Sequence, residues 1–150
     1  MQAAQERVAA ALTLAIEQGF AQWVAAATLL RGWLLAAQGQ GEEGIMQMRQ
    51  GLAAWQTTGA EQSKPYWLVL LAEAYGKGGQ AEEGLRVLAE ALDLVHKTEE
   101  RWYEAELYRL KGELTLKQFR VRSQSKSRQV RTGQDKSKQV KTSPKSGVRS

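Results

Sequence analysis

The chain has 150 residues, no cysteine and one histidine, which fits a single domain and excludes disulfides, thiolate metal sites and a lone-imidazole metal centre. Its formal charge of +5 hides a division: residues 1–118 carry 11 Lys+Arg against 15 Asp+Glu, whereas 119–150 carry 10 Lys+Arg against the single acid Asp135. The basic part has almost no apolar residues and cannot offset its ordering entropy by burial, so the Ala/Leu/Gln/Glu-rich remainder is the part able to build a core.

No basic n-region followed by an apolar run opens the chain, so no signal peptide is read and a cytoplasmic location is expected. The apolar stretch from Phe20 to Ala37 approaches membrane-spanning length but contains Gln22 and Arg31. A central arginine costs about 2.5–3.5 kcal/mol on insertion. A buried helix of a bundle is the reading, with no membrane partner.

In chain order the pattern predicts helices over 2–18, 20–38, 41–58, 62–77, 80–97 and 100–118. Gly19 and Gly59 act as C-terminal stops, and Ser63 followed by Pro65 suits a helix first turn. The pairs Glu42-Glu43 and Glu82-Glu83 fall in first turns, where the helix dipole favours negative charge; they read as capping rather than as an acid–base pair. His96 lies near a helix C-terminus, where a dipole contact is the ordinary explanation.

A forty-residue offset brings these helices into register. One column is Gly32, Ala72, Gly112 and another Leu30, Leu70, Leu110. In the following helix Ala4, Gly44 and Gly84 align, then Val8, Met48 and Leu88, then Ala11, Gly51 and Ala91, then Leu12, Leu52 and Leu92. Gly19 and Gly59 share a column in which Glu99 is the exception. Small residues recur where two backbones approach closely, with large ones three or four residues away on the same face. Self-similarity at this period is the signature of a helical solenoid. The stretch Gly39-Gln40-Gly41-Glu42-Glu43-Gly44 matches G-x-G-x-x-G. It is preceded by helix-forming residues rather than a strand, and its echo at 79–84 lacks the middle glycine, so a repeated helix–turn–helix corner explains it and a dinucleotide site does not. The segment 76–80 lacks the G-x4-G-K-[ST] frame of a P-loop. No nucleophile–base arrangement stands out, and no catalysis, cofactor or metal is expected.

The residues Leu-Arg-Gly32-Trp-Leu-Leu35-x3-Gly39-x4-Gly44 and Leu-Ala72-x2-Tyr75-x3-Gly79-x4-Gly84 resemble the tetratricopeptide (TPR) repeat, with a period of forty instead of 34 and no terminal proline. The phrases RGWLLAAQGQGEEGI, PYWLVLLAEAYGKGGQAEEGLRVLAEAL and RWYEAELYRLKGEL look like the divergent arrays that follow the ATPase module in bacterial nucleotide-cyclase/AAA-type ATPase proteins and MalT-like regulators. The resemblance implies an all-α TPR-like α-solenoid of antiparallel helix pairs over 1–118. It would hold two full units, 20–59 and 60–99, and half units 1–19 and 100–118. It implies a protein-interaction or regulatory scaffold, a piece of a larger signalling protein. In that family the first helix of each pair lines a concave groove, which here would present Ala26, Leu29, Trp33 and Ala36. Tyr66, Val69, Glu73 and Gly76 would follow, then Glu106, Arg109, Glu113 and Leu116. The partner-binding residues expected among them are Leu29, Trp33, Tyr66, Val69, Glu73, Arg109 and Glu113, with a protein or peptide in the groove.

The five tryptophans and four tyrosines mostly fit core packing, with Tyr75 in one aromatic column and Trp23 and Tyr103 in another. Half units at both ends are expected to leave apolar faces such as Val8/Leu12 and Leu110/Leu114 exposed, which favours self-association. From 119 the repeat breaks. Lys126-Ser127-Arg128-Gln129-Val130-Arg131-Thr132 aligns with Lys136-Ser137-Lys138-Gln139-Val140-Lys141-Thr142 at a spacing of ten, a switch that suggests a truncated or frameshifted gene end. The segment 119–150 is expected to be a disordered basic tail, disordered from about Val121, with weak nonspecific affinity for nucleic acid.

Overall fold

The computed structural model describes residues 1–17, 19–99 and 101–141, with side chains up to Thr132. Among these it contains helices and no strand: α1 (Gln2–Glu17), α2 (Ala21–Ala37), α3 (Gly41–Thr57), α4 (Lys64–Lys77), α5 (Ala81–Thr98) and α6 (Glu104–Lys141), with a 3-10 turn at Arg101–Tyr103 before α6. The all-helical class and the starts of the helices agree with the sequence reading to within four residues. Punctuation is glycine at a spacing of twenty: Gly19, Gly39, Gly59 and Gly79 all have φ between 69° and 92°. Only a residue without Cβ adopts that region cheaply. Glu99 fills the equivalent place at φ 59°.

Each helix packs on the next in sequence, most extensively α2 on α3 and α4 on α5; α4 also touches α2 and α6. The α2–α3 approach is a backbone contact. A Cβ added at Gly32 would lie 2.6 Å from the Gly44 carbonyl oxygen, and one at Gly44 would lie 2.5 Å from that of Gly32. Gly51 receives Leu29, whose Cγ would be 2.8 Å from an added Cβ. Forty residues on, Gly84 faces the Ala72 carbonyl in the same way, at 3.1 Å, and also takes the Leu114 side chain. At Gly32, Gly44, Gly51 and Gly84 the columns of small residues are therefore places where a neighbouring helix backbone comes close.

Two apolar clusters result. One joins Ala25, Leu29, Ile45, Met48, Trp55, Leu71 and Tyr75 across α2, α3 and α4. The other joins Leu68, Leu88, Leu92, Val95, Leu107, Leu110 and Leu114 across α4, α5 and α6. Leu52 and Val87 pack against both. Burial of a leucine such as Leu88, which is fully enclosed, stabilises by about 1.5–3 kcal/mol.

The ends differ from expectation. Leu110 and Leu114 are buried, because Leu114 inserts between Gly76 and Gly84 of α4 and α5. The apolar residues left exposed on α6 are Tyr108, Leu116 and Phe119, followed by Val121 and Val130. At the other end Val8 and Leu12 are half-buried, whereas Leu14, Ile16, Phe20 and Trp23 are exposed. Trp23 is thus not a core residue.

The helix also passes the boundary expected at 118. Instead of becoming disordered near Val121, α6 continues to Lys141; 142–150 lie outside the described residues. Every described side chain from Phe119 to Thr132 is exposed, so tertiary packing does not hold this stretch. Two local causes do. The buried turns around Leu107–Leu114 have already met the nucleation cost, and each further residue adds one hydrogen bond. The extension is rich in Arg, Lys and Gln, good helix formers, with no glycine or proline between Gly112 and Gly133. Its hydroxyls turn back on their own helix: Ser125 donates to the Val121 carbonyl at 2.9 Å and Ser127 to that of Ser123 at 3.0 Å.

Candidate partner-binding face

Three side chains forty residues apart, Trp33, Glu73 and Glu113, stand at one position of the register on α2, α4 and α6. The first two meet: the Trp33 indole N–H donates to Glu73 Oε2 at 3.3 Å. Lys77, one turn along α4, pairs with Glu73 Oε1 at 2.8 Å and lies 5.6 Å from the centroid of the Trp33 ring. On α6 the guanidinium of Arg109 grips Glu106 through two bonds, of 2.6 and 2.8 Å, and reaches Glu113 at 3.2 Å. Lys117 closes the chain on Glu113 at 2.9 Å. It leans towards α4, its Nζ 4.0 Å from where a Cβ on Gly76 would be. The result is a half-exposed strip of alternating charge with one indole at its α2 end.

Hydrogen bonding to Arg109 holds the Glu106 carboxyl below its usual value of 4.5, against an opposing effect of desolvation. Hydrogen bonding to Lys117 does the same for Glu113, aided by Arg109. Arg109 is raised further above its already high value, chiefly by its bonds to Glu106. Water screens all of these groups, so the pairs fix side-chain direction more than they stabilise the fold.

Three of the expected partner-binding residues, Leu29, Val69 and Tyr66, do not belong here. Leu29 is fully buried against α3, and Val69 is buried in the cluster with Leu88, Ala91 and Val95 of α5; Ala36 and Gly76 are buried as well. Residues 29, 69 and 109 form one column, which in α2 and α4 points at the next helix. Arg109 is exposed in the same column on α6, where Gly112 likewise has nothing within 4 Å of an added Cβ. Tyr66 is half-buried and belongs to an aromatic group at the other end of α4, with ring centroids 5.0 Å from Trp67 and 5.5 Å from Tyr103.

Comparison of the chain with protein-family models, curated proteins and solved structures gives no match.

Lys77 and Lys117 carry no signal as single residues, but Glu-x3-Lys at 73–77 and 113–117 is an i,i+4 pair repeated at the same offset of forty, and that repetition could have found them. Elsewhere, His96 Nε2 is 3.7 Å from Glu104 Oε1, a contact between α5 and α6. The described residues hold no group of three or more His, Cys, Asp or Glu arranged to take a metal. No helix among them is long and apolar enough to cross a membrane.

Proposed function

We propose that the chain is a non-catalytic scaffold of TPR-like antiparallel helix pairs, a repeat region of a larger bacterial signalling ATPase or nucleotide-cyclase protein. It binds an extended protein or peptide segment across α2, α4 and α6. The observation that carries the reading is the hydrogen bond between Trp33 and Glu73. Positions forty residues apart lie side by side there, as they do where a repeat array makes a continuous binding surface. The paired backbone contacts of Gly32 with Gly44 and of Gly84 with Ala72 support the same repeat geometry. Trp33 supplies an aromatic anchor of the kind enriched in interface hot spots, and the Glu73–Lys77 and Glu113–Lys117 pairs supply groups for a peptide backbone or mixed charges.

The test is selection of peptides from a random displayed library on the purified chain, followed by calorimetry. Trp33→Ala and Lys77→Glu should each weaken the selected peptides about tenfold or more, a loss of about 1.4 kcal/mol, with far-UV circular dichroism unchanged. Peptides whose affinity ignores both substitutions would sink the assignment of this face.

A second reading rests on one observation. Between Phe119 and Thr132, α6 exposes Arg120, Arg122, Lys126, Arg128 and Arg131 and carries no acid. This surface suits weak, nonspecific contact with nucleic acid, for which log K falls with log salt by about 0.7–0.9 per phosphate neutralised. Removing 119–150 should abolish that affinity and leave peptide binding intact.

A further inference from the structure

Opposite the side that packs on α4 and α5, α6 carries an open stripe. Ala105, Gly112, Leu116, Phe119, Ser123 and Val130 recur at spacings of three, four and seven, so they share one side of the helix. All six are exposed. Leu116 stands two positions from buried Leu114, about 160° round the helix. From Ala105 to Val130 the stripe runs about 38 Å at 1.5 Å per residue, interrupted by Arg109 and Lys126.

Two observations say what covers it. The first is charge. Residues 104–118 hold three acids, Glu104, Glu106 and Glu113, against three cations, Arg109, Lys111 and Lys117, whereas 119–132 hold five cations and no acid. A second α6 running the opposite way sets each basic half against the acid-bearing half of the other; a second α6 running the same way sets five cations against five. The second observation is shape. The fold repeatedly seats a leucine over a glycine, Leu29 on Gly51 and Leu114 on Gly76 and Gly84. On the stripe Leu116 and Gly112 lie one turn apart, with open space where a Gly112 Cβ would be.

From this juxtaposition we propose that the stripe is a docking surface for a second copy of this chain, the two α6 helices packing antiparallel about a two-fold axis near residue 114. Each Leu116 then sits over the Gly112 of the other copy. In the same register Phe119 faces Arg109, where a ring and a guanidinium attract, and Arg120 comes near Glu106. The contact is isologous and closes at two copies. Leu107, Leu110 and Leu114 face away from the stripe, so the two helical bodies lie on the outer sides of the pair and do not collide. On dilution the copies separate, each with its α6 free. The pairing does not depend on what the α2/α4/α6 strip binds, because Trp33, Glu73 and Lys77 lie on other helices.

The test is sedimentation equilibrium of the full-length protein over a dilution series, with and without Gly112→Leu. The parent chain should show a monomer–dimer equilibrium and no larger species. Gly112→Leu adds exposed apolar surface yet fills the seat of Leu116, so it should weaken the dimer about tenfold or more. Its monomer should keep the parent circular dichroism, since leucine is a good helix former and nothing surrounds the site. Direction is read separately by cross-linking, which the absence of native cysteine makes clean. Ala105→Cys and Ser123→Cys chains, mixed and oxidised, should link to each other far faster than either links to itself.

A chain that stays monomeric throughout would overturn the proposal, as would a dimer that forms only when an oligonucleotide is added, which would give the basic half to a polyanion. Assembly beyond two copies would mean a head-to-tail contact in place of the two-fold one. Association strengthened by Gly112→Leu would reduce the stripe to unspecific apolar surface. Preferred self-linking of Ser123→Cys would mean parallel helices, and each of these three results likewise overturns the assignment.

Discussion

A methyl group added at Gly32 would meet the Gly44 carbonyl at 2.6 Å and the Met48 backbone nitrogen at 2.8 Å. Neither is the end of a flexible side chain, so α2 and α3 would have to separate. Gly112 stands in the same column, with nothing within 4 Å of an added Cβ. There alanine removes only the conformational freedom that glycine costs a helix. Gly32→Ala should therefore destabilise by about 1–3 kcal/mol, as overpacking does. Gly112→Ala should stabilise by about 0.5–1 kcal/mol, both read from urea unfolding midpoints at unchanged slope. Equal effects of the two substitutions would mean that the column is not a line of helix contacts. The column is legible in the sequence because small residues recurring at a fixed period mark where successive backbones meet. The burial of Leu29 and Val69 is not. Positions four apart on a helix of 3.6 residues per turn differ in direction by only about 40°. Counting along one helix places 29 and 33 on roughly one face, whereas in the structure the boundary between core and surface falls between them.

The extension of α6 shows what composition leaves unread at the scale of an element. Composition weighs the tail by what it can bury, yet a helix already nucleated at Leu107–Leu114 propagates through exposed Arg, Gln and Ser on local bonds alone. Ser125→Pro, which removes a backbone donor and clashes with the preceding turn, should lower helicity beyond residue 121. The thermal midpoint of the core should stay within about 1 °C, because no described side chain from Phe119 onward is buried. A large fall in that midpoint would show that the extension is packed after all. The Glu106–Arg109–Glu113–Lys117 chain gives α6 an acid dependence of defined sign. Both carboxyls sit below their usual 4.5 in the folded state. Their stabilising contribution is therefore complete above that value and is lost as pH falls through the depressed folded values. The Glu106→Gln/Glu113→Gln variant should lose less stability than the parent between pH 5 and pH 2, as followed by thermal denaturation at low salt. A steeper acid loss in the variant would contradict the pairing.

Across the whole molecule, the N-terminal pairs bury their seams, whereas the corresponding side of α6 stays open, with Gly112 uncovered and Leu116 and Phe119 exposed at 60 % and 69 %. Apolar surface of this kind on a helix side favours association. The melting temperature should therefore rise with protein concentration, and the rise should vanish in Leu116→Lys/Phe119→Lys. A midpoint independent of concentration in the parent chain would argue against association through α6. The length of α6 has a separate consequence. From Leu114, the last buried of its described side chains, to Lys141 the helix spans about 40 Å at 1.5 Å per residue. Residues 1–118 carry a net charge of −4, and all the cations of the extension lie beyond them. The helix thus holds positive charge away from a negative body, which gives the described part of the molecule an electric dipole directed along α6. In any non-uniform field, such as that near a polyanionic surface, it experiences a torque as well as a pull. The helical body is turned outward before anything touches it.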